Sequence, residues 1–206
     1  MLPSRLHTRV LALVPPTHPP GKPVTRRTIL SLRDGLAPSL RAAASAAIAE
    51  RAFELIVARR PSPAVIGLYA PKGSEVDTAA LDERLRAAGY GVAYPRILDD
   101  RRELGFRTAA IDELAPARFG LREPGPGPLV ALDAIDAFVV PGIAFDRAGG
   151  RIGWGRGHYD ATLAAAPRAL RIGLAFACQV VEGVPRDPHD IHLHYVVTEA
   201  STDEAP

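Results

Sequence analysis

The sequence predicts an α/β protein, a single three-layer domain whose mostly parallel, mixed sheet is flanked by helices. Three observations carry this. Residues 64–69 form a short apolar run, followed by a helical stretch and a second apolar run that stops at Pro95. This is a βαβ unit, and such units join parallel strands by a right-handed crossover. Residues 137–141 are a third apolar run, leading through a glycine-rich stretch into another helical pattern. Two further strand-length runs, 171–176 and 195–198, follow near the end. A chain of 206 residues is ample for one core, and 47% apolar and 23% charged residues match an ordinary globular domain.

In order along the chain, residues 1–21 are expected to be a disordered extension. Their apolar run, 10–14, is cut by Pro15-Pro16, short of the roughly 7–15 residues of a secretory core. No segment approaches the ~20 apolar residues of a membrane helix, so the domain is assigned to 22–206. Thr25 is expected to cap a first helix running to Leu32 and ending near Gly35. Pro38 then opens a second helix to about residue 58, with Leu40, Ile48, Phe53 and Ile56 as its apolar face. Lys22 and Arg26 stand four apart, so a helix projects them from one face as a pair of phosphate ligands; the plain alternative is a solvated basic face.

The βαβ unit comprises a strand at 64–69, a loop at 71–78, a helix at 79–88 ended by Gly89, and a strand at 91–94. Glu75 falls just past the carboxyl end of the first strand, where open α/β sheets bind ligands; the alternative is a helix-start acid. Residues 104–107 read as an edge strand, and the Gly-Pro repeat at 125–128 forbids a helix. Phe119 has two readings, a flat-ligand platform or a core residue.

The densest chemistry lies in 139–160. Glycines 153, 155 and 157 let backbone amides converge on an anion at the start of a helix over 159–165, and Arg151 and Arg156 add positive charge. Asp160 would repel a bare polyphosphate but suits a hydrated Mg2+, which takes one or two carboxylates plus phosphate oxygens. The spacing is neither a Walker A loop nor a dinucleotide fingerprint. A glycine-rich surface turn with solvated arginines is the alternative.

The segment 185–194 carries His189, His192 and His194. A loop with alternating side chains explains them better than zinc, which needs a converging ligand set. Cys178 is the single cysteine, so no intramolecular disulfide forms and a cytoplasmic location is expected. The net charge of +2 with dispersed basic residues argues against nucleic acid and anionic membranes as partners.

Taken together, Pro-Gly-x-Ala-Phe-Asp at 141–146, Arg-x-Gly-x-Gly-x-Gly-x-Tyr-Asp at 151–160, Gly-Leu-Ala-Phe-x-x-Gln at 173–179, Pro-x-x-x-His-Asp at 185–190 and Val-Val-Thr-Glu at 196–199 resemble the 5-formyltetrahydrofolate cyclo-ligases, also called methenyltetrahydrofolate synthetases. Residues 69–78 are similar to that family's folate-contacting loop. The resemblance covers roughly 22–199.

It implies an ATP- and Mg2+-dependent conversion of 5-formyltetrahydrofolate to 5,10-methenyltetrahydrofolate, with release of ADP and phosphate. The implied ATP-binding residues are Lys22, Arg26, Arg151, Gly153, Trp154, Gly155, Arg156, Gly157, His158 and Tyr159, with Arg151, Arg156 and Tyr159 catalytic. The implied folate-binding residues are Ala70, Glu75, Trp154, Gly155, Arg156, Gly157 and His158. Asp160 and Asp190 are the implied Mg2+ ligands.

The protein would act on reduced folate and ATP as a monomer or small homo-oligomer. His158-Tyr159-Asp160 stands where the family usually has Tyr-Tyr-Asp, Trp154 is bulkier than the usual residue, and Arg27 competes with Arg26. The alternatives are a non-catalytic folate- or nucleotide-binding paralogue, or an ATP-dependent enzyme of this fold with another acceptor.

Overall fold

The structure, a computed structural model, describes residues 21–206; apart from Gly21, the expected extension lies outside the described residues. Helix α1 (Lys22–Asp34) starts earlier than expected: Gly21, not Thr25, is its N-cap. Pro23 is tolerated because the first turn has no intrahelical acceptor for the N–H that proline lacks. Thr25 is buried within the helix, its hydroxyl turned back to the Gly21 carbonyl at 3.4 Å.

Helix α2 (Pro38–Arg59) buries Ser45, Ile48, Ala49, Ala52, Leu55 and Ile56, a stripe at helical spacing. Phe53 is half-buried and packs against the same cluster, whereas Leu40 is 62% exposed, so the expected apolar face was wrong at Leu40 alone. Ala49 and Ala52 share that contact with Ile48, Leu55 and Ile56.

Strand β1 (Val65–Gly67), helix α3 (Ala79–Ala87) and strand β2 (Gly91–Arg96) form the expected parallel unit, with Val65 opposite Gly91. β2 continues through Pro95 because pairing with β1 stops at Ala93. Beyond it the strand is paired only with β3 (Gly105–Thr108), and proline is tolerated at such an edge. β4 (Ala115–Pro116) and β5 (Arg122–Glu123) make a small ribbon with no sequence signal.

β6 (Ala137–Val140) is fully buried. The glycine-rich stretch is not all loop: β7 (Ala144–Asp146) and β8 (Arg151–Ile152) form a hairpin before helix α4 (His158–Ala165). β9 (Leu170–Leu174) follows, then β10 (Val180–Val181), which pairs with β7. β11 (Tyr195–Val197) is not the last strand, because polar β12 (Thr202–Glu204) adds an antiparallel edge.

The main sheet runs β12-β11-β9-β6-β1-β2-β3, with the five inner strands parallel and both edges antiparallel. Alternation along β6 shows the layering. Ala137 and Val139 pack in the cluster containing α2 and α3, whereas Phe138 and Val140 pack in the cluster containing Leu163 of α4. Fully burying each large aliphatic or aromatic side chain contributes roughly 1.5–3 kcal/mol, which makes β6 the spine of the domain. From β1 the chain steps to β2 on one side and later to β6 on the other. The crevice at the carboxyl ends of β1 and β6 is therefore a topological switch point. Among the described residues no helix is long and apolar enough to cross a membrane.

Candidate active site

A cavity of about 720 Å³ opens at this switch point, within the usual size range for ligand sites. It is walled by the residues after β1, the residue after β6, the glycine loop, the start of α4, and α1. Every residue implied as a site residue lines it: Lys22, Arg26, Ala70, Glu75, Arg151, Gly153 to Asp160, and Asp190.

The glycine loop is anchored at its base by Asp146, which is 2% exposed. One carboxylate oxygen accepts from the amides of Ala148 (3.0 Å) and Gly150 (2.7 Å), and the other from Val184 (2.9 Å). Arg186 closes the arrangement at 2.9 and 3.1 Å. Burial alone would raise the Asp146 pKa, but these donors outweigh it and hold the group below the usual carboxylate range. One carboxylate thus ties the β7–β8 turn to the segment leading to Asp187 and Asp190.

Further on, Gly155 (φ +87°) and Gly157 (φ +72°) take left-handed conformations that favour glycine, and Gly157 is the N-cap of α4. A Cβ on Gly157 would meet Arg102 Nη2 at 2.8 Å.

The cations are arranged differently from a simple phosphate cradle. Arg151 is nearly buried; its Nη2 lies 2.9 Å from Asp160 Oδ1, and its guanidinium sits 5.7 Å from the Tyr159 ring centroid. Arg156 is exposed and lies 3.7 Å over the ring of Phe119. Arg26 donates from Nε to the Gly153 carbonyl at 2.9 Å, whereas Arg27 is exposed and does not line the cavity. Of the two arginines that the sequence left in competition, Arg26 faces the pocket.

Lys22 Nζ lies 2.7 Å from Asp187 and 2.6 Å from Asp190. Burial acts to depress the lysine pKa, but hydrogen bonds to the two carboxylates raise it on balance. Burial likewise opposes ionisation of Asp190, and Lys22 with the Asp187 amide pulls its pKa below the ordinary carboxylate value.

On the opposite wall, Glu75 is partly buried. It accepts from the Lys72 amide at 2.9 Å and from the indole Nε1 of Trp154 at 3.2 Å. Burial is the largest influence and raises its pKa; the Lys72 amide, the Trp154 indole, and the charges of Arg33 and Lys72 oppose the rise. Ala70 is 9% exposed at the end of the extended segment after β1. The Tyr159 hydroxyl is buried, and burial together with the nearby Glu75 charge pushes its pKa well up, against Arg151. His158, which lines the cavity, has Nδ1 2.8 Å from the Arg102 carbonyl; a carbonyl only accepts, so Nδ1 carries the proton.

Sequence reasoning assigned no role to the wall residues Lys72 and Asp187 and left Phe119 with two readings. Lys72 donates to the Phe119 carbonyl at 2.6 Å and sits 5.1 Å over the Trp154 ring. Phe119 is 48% exposed at φ +62° and lines the cavity, so the core alternative does not hold for it. Asp187, His189 and Asp190 present ligand atoms within 4.8 Å of one another. His192 instead lies beside Arg186, and His194 beside Arg171, so the three histidines do not converge. Cys178 is half-buried, and burial raises its thiol pKa.

An open parallel sheet with a cation-rich glycine loop and paired carboxylates at its switch point defines an α/β enzyme for anionic ligands. The model of the 5-formyltetrahydrofolate cyclo-ligase family matches residues 19–199, and the chain belongs to that family. It is 35% identical over 137 residues to the 5-formyltetrahydrofolate cyclo-ligase of Mycolicibacterium smegmatis, covering 63% of this chain and 71% of the relative. It is 29% identical over 174 residues to the enzyme of the same name from Haemophilus influenzae, covering 82% and 92%. Among solved structures, the 5,10-methenyltetrahydrofolate synthetase of Aquifex aeolicus superposes with a TM-score of 0.72 at 28% identity, covering 89% of this chain and 92% of that one. The synthetase of Mycoplasma pneumoniae gives 0.72 at 23% identity, covering 86% and 98%, and shows the same fold.

Proposed function

We propose that this chain converts 5-formyltetrahydrofolate to 5,10-methenyltetrahydrofolate at the expense of ATP and with Mg2+, releasing ADP and phosphate. The observation that carries the reading is that Glu75, after β1, and the 153–160 loop line one cavity and touch through Trp154. A reduced folate on the Glu75 side and a nucleotide on the glycine side then meet at a common wall. The family's name supplies the folate substrate, and the cation-rich glycine loop suits ATP as the second.

In this scheme the formyl oxygen attacks the γ-phosphorus and ADP leaves. N10 then attacks the activated formyl carbon and loses its proton, and the C–O bond breaks to release phosphate. Phosphoryl transfer asks the protein mainly for positioning and charge neutralisation. Arg26, Arg156 and Lys22 offset phosphate charge, and the amides at the start of α4 face the same anion. Arg151, held by Asp160, keeps a fixed positive charge beneath the loop and braces Tyr159. Glu75 accepts hydrogen bonds from the N–H groups of the pterin, next to Ala70, and Trp154 and His158 wall the folate side.

Carboxylate oxygens at the nucleotide end fit a hard cation: Asp187 and Asp190 already converge on one positive charge, the Lys22 ammonium. We assign Mg2+ to Asp160 and Asp190, with Asp187 beside them; when bound, it would neutralise developing phosphate charge. The single, half-buried cysteine suits the reducing cytoplasm.

The test mixes the protein with ATP, Mg2+ and 5-formyltetrahydrofolate, following methenyl product by absorbance, with Asp160→Ala as control. Product formation by the wild type is expected, with Asp160→Ala failing at limiting Mg2+. Binding of both substrates without product would refute the enzyme reading; normal turnover by Asp160→Ala at limiting Mg2+ would refute the metal assignment.

A further inference from the structure

The largest fully buried side chain of the described residues is a charged one. Arg33, in the last turn of α1, is 2% exposed. Burying a guanidinium is costly unless hydrogen bonds and charge repay the lost hydration, so a purely packing role is a poor explanation for it. Its partners are specific. Nε donates to Ser74 Oγ at 2.9 Å, and Nη1 approaches the Gly142 carbonyl at 3.5 Å. Ser74 in turn donates to Asp34, whose carboxylate lies 4.0 Å from Arg33 Nε but is 61% exposed. Arg33 is absent from the cavity wall, so it touches neither proposed substrate. Ser74 immediately precedes Glu75, and Gly142 immediately follows the wall residue Pro141.

We propose that Arg33 is a positioning residue for Glu75: it grips the 72–75 turn from behind through Ser74 and supplies the fixed positive charge that lets a half-buried, folate-facing carboxylate stay in place. This rests on the folate-binding reading of Glu75. The groups that face Glu75 come from five elements. They are the Lys72 amide and ammonium on its own turn, the Trp154 indole on the glycine loop, Arg33 on α1, the Tyr69 hydroxyl after β1, and the Tyr159 hydroxyl on α4. Of these, only Lys72 and Arg33 are cations. Lys72 is drawn to the Phe119 carbonyl and the Trp154 ring, while Arg33 is locked in the interior. Removing Arg33 leaves burial less opposed, so Glu75 takes up a proton at higher pH.

The experiment measures 5-formyltetrahydrofolate and ATP dissociation constants from pH 5 to 8 for wild type, Arg33→Met, Arg33→Lys and Ser74→Ala, with a thermal melt of each. Arg33→Met is expected to weaken folate binding on the order of tenfold near neutrality and to move its acid limb to higher pH, with ATP affinity changed less than about twofold. Arg33→Lys is expected to restore the acid limb, because the charge remains, while folate stays several-fold weaker for want of the planar fork. Ser74→Ala loosens the turn with both charges intact, so it is expected to weaken folate without moving the limb.

Should Arg33→Met not fold, the lysine and alanine variants decide. Unchanged folate affinity in both overturns the proposal, as does an equal loss of folate and ATP affinity, which is the mark of a merely structural residue in α1. A wild type that binds no 5-formyltetrahydrofolate overturns the functional reading, and this role with it, before any variant is made.

Discussion

The indole Nε1 of Trp154 donates to Oε1 of Glu75 at 3.2 Å, so the glycine loop and the turn after β1 are joined by their own side chains. Trp154 also lies 5.1 Å beneath the Lys72 ammonium, a cation–π distance. Trp154→Phe keeps the ring for Lys72 but removes the N–H. The KM for 5-formyltetrahydrofolate should rise roughly three- to tenfold, the net worth of one ordinary solvent-exposed hydrogen bond, with the ATP KM less affected. Steady-state methenyl formation with each substrate varied in turn checks this.

Glu75 gives the folate side a pH dependence. Burial raises its pKa above the ordinary value near 4.5, and in the proposed folate site only the anion would accept two hydrogen bonds from the pterin. Folate affinity should therefore fall as pH drops, beginning above the range of an exposed carboxylate. Glu75→Gln should bind folate weakly and with no acid limb; a limb that survives in the variant would assign it to another group.

At the nucleotide end, Asp190→Asn removes one charge from the pair that holds Lys22 at 2.6 and 2.7 Å. Turnover at limiting Mg2+ should drop by at least the roughly 10–100-fold typical of disturbing a metal's supporting partners, and recover in part at high Mg2+. A Mg2+ titration of the initial rate reads this directly.

Gly157→Ala forces a Cβ onto a residue at φ +72°, 2.8 Å from Arg102 Nη2. Strain of this kind costs on the order of 1–3 kcal/mol and falls on the first turn of α4, so both melting temperature and turnover should decline. Gly183→Ala is the control: a Cβ there meets nothing within 4 Å, and both quantities should hold.

Asp146 should matter to stability through pH. Its folded pKa lies below the ordinary value near 3.8, so its contribution is present above that value and is lost as pH falls through the folded one. Asp146→Asn leaves Arg186 with a weaker partner and should lower the melting temperature at pH 7. The gap between variant and wild type should narrow below about pH 4, where the wild-type carboxylate also protonates.

Much of the frame was legible because it rests on local pattern. The βαβ unit over β1, α3 and β2, the buried β6 and the start of α4 near Tyr159 all carry apolar periodicity or glycine and proline punctuation that acts over a few residues. The elements missed lack that signal. β12 is Thr-Asp-Glu and pairs only because β11 offers an edge, and β7 and β8 hide inside a glycine-rich stretch because Asp146 organises their turn with donors from residue 184 onward. The face of α2 was misjudged at Leu40 because size suggested core, whereas that position turns to solvent.

The candidate site divides in the same way. The sequence by itself picked out the residues proposed to carry the chemistry: glycines 153, 155 and 157, Glu75, Asp160 and Asp190 stand in motifs whose residue types suit phosphate, metal and pterin, and the fold brings them to one cavity. Only the tertiary structure decided how those groups are partnered. It set Lys22 between Asp187 and Asp190, turned Arg151 inward onto Asp160, exposed Phe119 beneath Arg156, and buried Arg33 behind Glu75. The physical reason is range. A glycine's conformational freedom or an apolar alternation is a property of neighbours in sequence, whereas the charge state and aim of an ionisable side chain depend on what desolvates it and what donates to it. The ion pairs of the site span from nine residues, for Arg151 and Asp160, to 168, for Lys22 and Asp190.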